Sequence, residues 1–314
     1  MKLKLKPNPI KMRILTRPLK APTLPILDLA SLQDRLPLWA SDKEDGIRCL
    51  VCPERGAITG QMKPIPNTYV RTQVELQSAI YLDGELVAID SKGHDLGFND
   101  TQSAIMTIGG SPKFEFRVFD SFCNIYDTYL DRALYAKEQV WLLQQQGSAY
   151  IRWLEQTKIK TVEQLELVEA SALRRGKEGI MLRHPKGWYK EGRSTLNEAY
   201  LLKVKRFTDD EAMVIGTEQE MENCNPATLN ERGLQARSKH ASGLRPKGCV
   251  GKLVCKWRGH IIKIGSGLTY QQKQLFWDHP SIIVGKTITF KYQAHGMKVL
   301  PRAPIFKGVR YDAS

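Results

Sequence analysis

Lys43 stands in the run Lys43-Glu44-Asp45-Gly46-Ile47-Arg48, between the apolar stretches Leu36-Pro37-Leu38-Trp39-Ala40 and Cys49-Leu50-Val51-Cys52. A lysine in a turn between two strand-like runs packs poorly but is well placed for chemistry. Its amine is a nucleophile only when unprotonated, and the ordinary lysine pKa of about 10.4 means that burial or nearby cations must help. Gly46 permits close backbone approach, while Asp45 and Arg48 bring opposite charges. The hexapeptide alone is equally compatible with a polar hairpin turn carrying a solvated lysine. Four later patches change that balance: Leu82-Asp83-Gly84-Glu85-Leu86-Val87, Phe116-Arg117-Val118-Phe119-Asp120, Glu178-Gly179-Ile180-Met181-Leu182-Arg183 and Leu201-Leu202-Lys203-Val204-Lys205. Each sets a carboxylate, an aromatic ring or a lysine in or beside a β-type run. Together they are the parts of a nucleotide site.

Such residues need a framework of strands. From 36 to 120, strand-like runs alternate with turns, with a helical candidate at Tyr69 to Ser78. Apolar spacing predicts helices over 131–147 and 161–176, and strands resume at 179–183 and 200–206. This order predicts an α+β domain with its site in a cleft between sheets. The first 35 residues, rich in proline and lysine, read as an extended arm leading to a short helix near Leu27 to Arg35. After Thr208-Asp209-Asp210 the pattern becomes all-β, with runs at 212–215, 251–257, 261–264 and 288–292, as in a small barrel such as an OB-fold. A polar stretch from Glu218 to Lys247 is too long for a simple barrel hairpin and reads as a disordered insertion or a basic loop.

In order and spacing these motifs resemble those of the ATP-dependent polynucleotide ligases, most closely the minimal DNA ligases of viruses and bacteriophages. The likeness runs from about residue 36 and includes Lys186-Gly187-Trp188-Tyr189-Lys190-Glu191-Gly192-Arg193-Ser194-Thr195-Leu196. It implies an α+β nucleotidyltransferase (adenylation) domain, residues 1–206 with the arm, followed by an all-β OB-fold domain, residues 207–314. The stretch at about 218–247 is then the basic loop with which compact ligases surround duplex DNA, through Arg232, Arg237, Lys239 and Arg245. By the same resemblance, Lys43 attacks the α-phosphorus of ATP and carries AMP. Ser41, Arg48, Glu85, Phe119, Glu178, Lys203 and Lys205 bind the nucleotide, with Phe119 stacked on adenine and Lys203 and Lys205 side by side on a phosphate. Glu85 and Glu178 hold Mg2+. Arg302, Lys307 and Arg310 belong to a C-terminal stretch that orients pyrophosphate.

Two positions depart from the family pattern. Gly60 stands where a nick-phosphate arginine is usual, so Lys63 or Arg71 is expected to substitute. Ser41 replaces a glutamate that reads the adenine amino group in larger members.

Composition agrees with a nucleic-acid partner. The net charge is +14, residues 231–314 hold sixteen Lys and Arg against three acids, and the first 27 residues have no acid. Basic ends suit a polyanion, whose condensed counterions are released on binding. No apolar run reaches 18 residues and the N-terminus carries no apolar signal core, which predicts a soluble, cytoplasmic monomer, in host cytoplasm if viral. The six cysteines lack the paired spacing of a four-ligand zinc site and are expected as reduced thiols. The sequence-level expectation is nick sealing in duplex DNA, without a membrane. The alternatives are an RNA ligase or mRNA-capping guanylyltransferase, which share the Lys-x-Asp-Gly lysine, and a silent nucleic-acid-binding relative.

Overall fold

The computed structural model describes residues 15–24, 26–77, 81–229, 235–238, 240–297 and 299–310. The chain divides into two compact units, Met1–Lys205 and Arg206–Ser314.

In the first unit, β1 (Leu19–Lys20), β2 (Thr23–Leu24) and a 3-10 helix (Ile26–Arg35) precede β3 (Leu38–Asp42), β4 (Ile47–Cys52) and β5 (Gly56–Thr59). Then follow α1 (Thr68–Gln77), β6 (Leu82–Ala88), α2 (Phe98–Met106), β7 (Phe114–Ser121) and α3 (Tyr129–Gln145). The unit ends with β8 (Ile151–Trp153), β9 (Thr157–Ile159), α4 (Val162–Arg174), β10 (Gly179–Arg183), β11 (Gly192–Arg193) and β12 (Leu201–Lys205). Among the described residues these strands form two five-stranded sheets, ordered β5-β4-β6-β7-β8 and β2-β12-β10-β3-β9, plus a β1-β11 pair. The polar-hairpin reading of Lys43 is therefore wrong: β3 and β4 lie in different sheets, and the lysine sits where the chain crosses between them.

Period-two alternation decides what each sheet face carries. In β7, Phe114, Phe116 and Val118 are buried, packing with Leu82, Leu86, Val70, Val74, Ile105, Ala136 and Val140 under α1, α2 and α3. The intervening Glu115, Arg117 and Phe119 turn to the other face. Across β4, β6 and β7 the register aligns Arg48 with Glu85 and Glu85 with Arg117, so this face is a row of charges. The second sheet packs Ile180, Leu182, Leu202 and Val204 on Leu29, Leu32, Leu165 and Ala172, from the 3-10 helix and α4. Leu19, Leu50, Ile58, Phe122, Tyr189 and Leu201 form a further core that draws on both sheets.

Helices α1, α3 and α4 lie within two residues of the expected spans, although Ser78 falls outside the described residues. Sequence patterning missed α2. The arm differs from a plain extended lead: its described part from Leu19 supplies β1 and β2, which pair in parallel with β11 and β12. Its first fourteen residues lie outside the described ones.

In the second unit, β13 (Thr208–Asn223), β14 (Ala227–Leu229), β15 (Gln235–Arg237), β16 (Leu244–Trp257) and β17 (His260–Ile264) precede α5 (Tyr270–Asp278), β18 (Thr287–Gln293) and β19 (Arg302–Val309). The main sheet has the order β17-β16-β13-β18-β19. A parallel bridge between Ser266 and Ile305, with Phe306 N donating to Ser266 O at 2.9 Å, brings its ends together as a barrel. Val214, Val250, Leu253, Ile264, Ile288 and Phe290 fill it, and Phe276 of α5 plugs one side. This is the OB arrangement. Much of the expected 218–247 loop is strand instead: β13 runs on to Asn223 and β16 begins at Leu244, with the short β14-β15 hairpin between them.

Candidate active site

Strand β3 delivers Lys43 to a cavity of about 250 Å³ in the first unit, and the Lys43 amide donates to Gly179 O at 2.9 Å. Gly179, with φ +150°, has no room for a side chain, because a Cβ there would lie 2.1 Å from Val204 O. Gly46 is constrained similarly: a Cβ would lie 2.3 Å from Leu86 O on β6. Gly46 lets the lysine-bearing turn press against β6, and Gly179 lets β10 close against β12.

The Lys43 ammonium is ion-paired to Glu178, which also accepts from Lys205 Nζ at 3.2 Å. Burial would raise the Glu178 carboxyl pKa, but Lys43 and Lys205 outweigh it and hold the group below its ordinary range. Glu85 shows the opposite result. Its carboxyl is pushed up to about 8 because burial outweighs the pull of Lys43 and Arg48, while Asp83 and Glu44 add to the rise. Lys203 also lines the cavity, and its pKa is lowered by burial first and then by Lys205, Lys43 and Arg193. A cavity wall with a depressed lysine and several fixed cations favours an anionic ligand.

Arg48 reaches the cavity but is anchored behind it. Its Nε and Nη2 donate to Asp83 at 2.9 and 2.5 Å, and Nη1 donates to Leu19 O at 2.5 Å. Asp83 is fully buried and also accepts from the Tyr189 hydroxyl at 2.6 Å. Phe119 lines the same cavity, with the guanidinium carbons of Arg183 and Arg48 at 4.7 and 5.7 Å from its ring centroid. The neighbouring Asp120 fixes that part of β7 through a buried pair with Arg132 of α3, Nε to Oδ1 at 2.9 Å. Ser41 is buried and accepts from Arg183 Nη1 at 3.1 Å.

Ser41, Lys43, Arg48, Glu85, Phe119 and Lys203 therefore meet at one cavity. Lys205 and Glu178 join through the ion pair rather than through the lining. Lys205 shares a face of β12 with Lys203, but it is engaged by Glu178. Lys63 and Arg71 do not line the cavity, and Gly60 is packed on Arg48, its amide donating to Arg48 O at 3.1 Å. Sequence reasoning missed Lys20, Arg183 and Arg193, which line it, and Asp83, which anchors Arg48. Arg183 and Arg193 carried a signal, since Arg183 ends one quoted motif run and Arg193 lies within another. Lys20 carried none, because the arm reaches the site through strand pairings, Lys20↔Arg193 and Thr23↔Lys203, that are invisible along the chain.

In the second unit, Lys307 Nζ donates to Asp209 Oδ2 at 2.6 Å and Arg310 pairs with Glu211, so β13 holds the C-terminal basic stretch of β19. Arg302 opens β19 opposite Gln293. Arg245 lies on β16 opposite Glu222, and Arg237 donates to Asn225 O from β15. Arg232 and Lys239 lie outside the described residues. Among the described residues the six cysteines are free, and no group of three or more His, Cys, Asp or Glu side chains forms a metal cluster.

A family profile described as "ATP dependent DNA ligase domain" matches residues 41–205, and one described as "DNA ligase OB-like domain" matches 243–310. The solved Chlorella virus DNA ligase-adenylate is similar at 28% identity and a TM-score of 0.54, over 95% of this chain and all of that one. A new crystal structure of the Chlorella virus DNA ligase-adenylate matches at 29% identity and a TM-score of 0.55, over 96% of this chain and all of that one. A Lig E DNA ligase structure has a TM-score of 0.66 at 23% identity, over 95% of this chain and all of that one, a likeness of fold. No curated protein sequence matches.

Proposed function

The chain belongs to the ATP-dependent DNA ligase family, and on that footing we propose that Lys43 is its adenylate carrier and that the chain seals 5′-phosphate/3′-hydroxyl nicks in duplex DNA. The observation that carries the reading is the Lys43 amine facing a cavity walled by Phe119, Glu85, Arg48 and Lys203 and bound at its far side to Glu178. Phe119 supplies a stacking surface for adenine, and Ser41 with Arg183 a polar edge. Lys203, Arg193 and Lys20 supply positive charge for the phosphates.

In the first step the Lys43 nitrogen attacks the α-phosphorus. The N–P bond forms, the bond to the β-phosphate oxygen breaks, pyrophosphate leaves, and the amine gives up its proton. The Lys43–Glu178 pair must open for this, because a protonated amine has no free electron pair. In the second, an oxygen of the DNA 5′-phosphate displaces the lysine from phosphorus, and the amine is reprotonated. In the third, the 3′-hydroxyl attacks the adenylated phosphate and AMP departs. Phosphoryl transfer leaves little covalent work to other side chains, so alignment and charge neutralisation carry the acceleration. Glu85 and Glu178 would hold Mg2+: two hard oxygen donors, with phosphate oxygens and water completing the shell, suit that ion. When bound, it supplies further neutralisation of phosphate charge. Arg237 of the hairpin between β13 and β16 and Arg245 at the start of β16 are assigned to the duplex backbone, and Arg302, Lys307 and Arg310 to pyrophosphate. The last two must leave Asp209 and Glu211 to act.

Intact mass spectrometry tests the first step: an AMP-sized adduct should form with ATP and disappear with pyrophosphate. Lys43→Ala should form none and seal no nicks while still binding duplex. A GTP-only adduct, or a preference for nicked RNA, would redirect the assignment to capping enzymes or RNA ligases.

A further inference from the structure

Lys43 and Glu178 are followed and preceded by the oppositely charged Glu44 and Lys177, and these neighbours are paired as well. The register of β3 on β10 sets Asp42 opposite Ile180, so two diagonal pairs form beyond the strand ends. Lys43 lines the nucleotide cavity and is paired to Glu178 beside it. Glu44, which also lines the cavity, pairs with Lys177 at 2.9 Å and reaches the first sheet.

There Glu44 meets Arg117 of β7, whose Nη1 donates to it at 2.6 Å. Arg117 also donates to Asp95 Oδ1 at 2.5 Å and to Glu115 Oε2 at 3.0 Å, and Lys177 donates to Asp95 Oδ2 at 2.8 Å. The Glu44 side chain is 5% exposed and that of Arg117 13%. Glu44 and Lys177 lie at the ends of strands of the second sheet, whereas Arg117 and Glu115 belong to β7 of the first and Asp95 lies just beyond β6, bridged to Ile89. The network thus ties the two sheets together directly behind the nucleophile. A buried carboxylate bound by two cations from two elements has one low-energy position, unlike an exposed pair.

We propose that Glu44, held by Lys177 and Arg117, is a positioning residue that fixes the Lys43 amine between the two walls of the cleft. The inference deepens the assignment of Lys43 as adenylate carrier and rests on it. Its consequence is step-specific. Lys43 is a nucleophile only in adduct formation, and no Lys43 attack occurs when a 5′-adenylated nick is closed. A misplacement of about 1 Å at a reacting group is enough for a ~100-fold loss.

The experiment compares full-length wild-type protein with Glu44→Ala, Glu44→Gln and Glu44→Asp, and with Arg117→Met. It reads single-turnover adduct formation against ATP concentration, closure of a synthetic pre-adenylated nick, and Tm. We expect Glu44→Ala to lower the maximal adduct-forming rate ~30- to 100-fold, with KM for ATP and pre-adenylated closure changed no more than ~3-fold. Glu44→Asp should recover part of the rate, and Arg117→Met should show the same split. If the Ala variant does not fold, Glu44→Gln, which keeps the volume and loses the charge, carries the comparison. Equal losses in both steps would make the network merely structural and overturn the proposal, as would an unchanged adduct-forming rate. A wild-type protein that forms no adduct would overturn the Lys43 assignment itself, and the positioning role with it.

Discussion

Asp83 has no contact with solvent and satisfies two groups at once, the Arg48 guanidinium and the Tyr189 hydroxyl. Removing it leaves an arginine in a cleft wall without its counter-charge. Asp83→Ala should therefore cost about 3–5 kcal/mol, the scale for breaking a buried pair by losing one partner. Denaturant unfolding would show it as a lower midpoint at unchanged slope. Glu85 makes the opposite prediction in pH. Its folded pKa, about 8, lies above its unfolded value, so between roughly pH 4.5 and 8 the folded state holds the extra proton. Its burial therefore becomes progressively more destabilising as pH rises through that window. Glu85→Gln, which cannot ionise, should remove this slope and raise Tm by a few degrees at pH 8, with little change near pH 5. Thermal scans of nucleotide-free protein at both values decide it. Lys43 was legible because it stands in a turn between two apolar runs, Phe119 only through the family pattern and the Asp120 that follows it, and Glu85 because a carboxylate interrupts an apolar run. Asp83 stood in the same quoted run without being singled out. A carboxylate whose task is to anchor another side chain looks, in sequence, like any strand acid until the arginine opposite it is known.

At the scale of elements, the turn carrying Lys43 depends on a close approach that only glycine allows. Gly46→Ala would force the turn or β6 to shift, because its Cβ would meet Leu86 O at 2.3 Å. The expected stability cost is about 1–3 kcal/mol, as for overpacking a tight interior. Adduct formation should fall more than closure of a pre-adenylated nick, and a paired assay checks that. The long helices were readable from apolar spacing, but α2 and α5 span nine residues each, too few for periodicity to stand out. The stretch 218–247 misled for a different reason. Where β13 and β16 run past the barrel, their residues have no core to fill, so Glu218 to Asn223 and Leu244 to Lys247 are polar on both faces and read as loop. The pairing that makes them strand, for example Glu222 opposite Arg245, is a cross-strand relation invisible along the chain.

For the whole molecule, charge makes the broadest prediction. The net charge is +14, and the described helices include none long and apolar enough to cross a membrane. Duplex affinity should fall steeply with salt, and each phosphate-contacting cation removed should flatten the log–log slope by about one. Replacing Arg237 and Arg245 together by alanine should reduce that slope by about two and leave adduct formation with ATP intact. Salt titrations by fluorescence anisotropy would measure it. An unchanged slope would remove Arg237 and Arg245 from the DNA interface. The two-unit layout followed from the change in residue pattern near position 208. The crossing of the chain at Lys43 did not, because apolar runs on either side of a short turn are the ordinary signature of neighbouring strands.

That crossing limits how the cleft is entered. Lys43 is tied to β10 through Gly179, and Gly46 presses on β6, which leaves Glu44 and Asp45 as the whole leash between two anchored points. Three virtual bonds reach at most about 11 Å. The rims nearest the nucleophile cannot part further than this tether allows, so any widening of the cleft must come on the side away from Lys43.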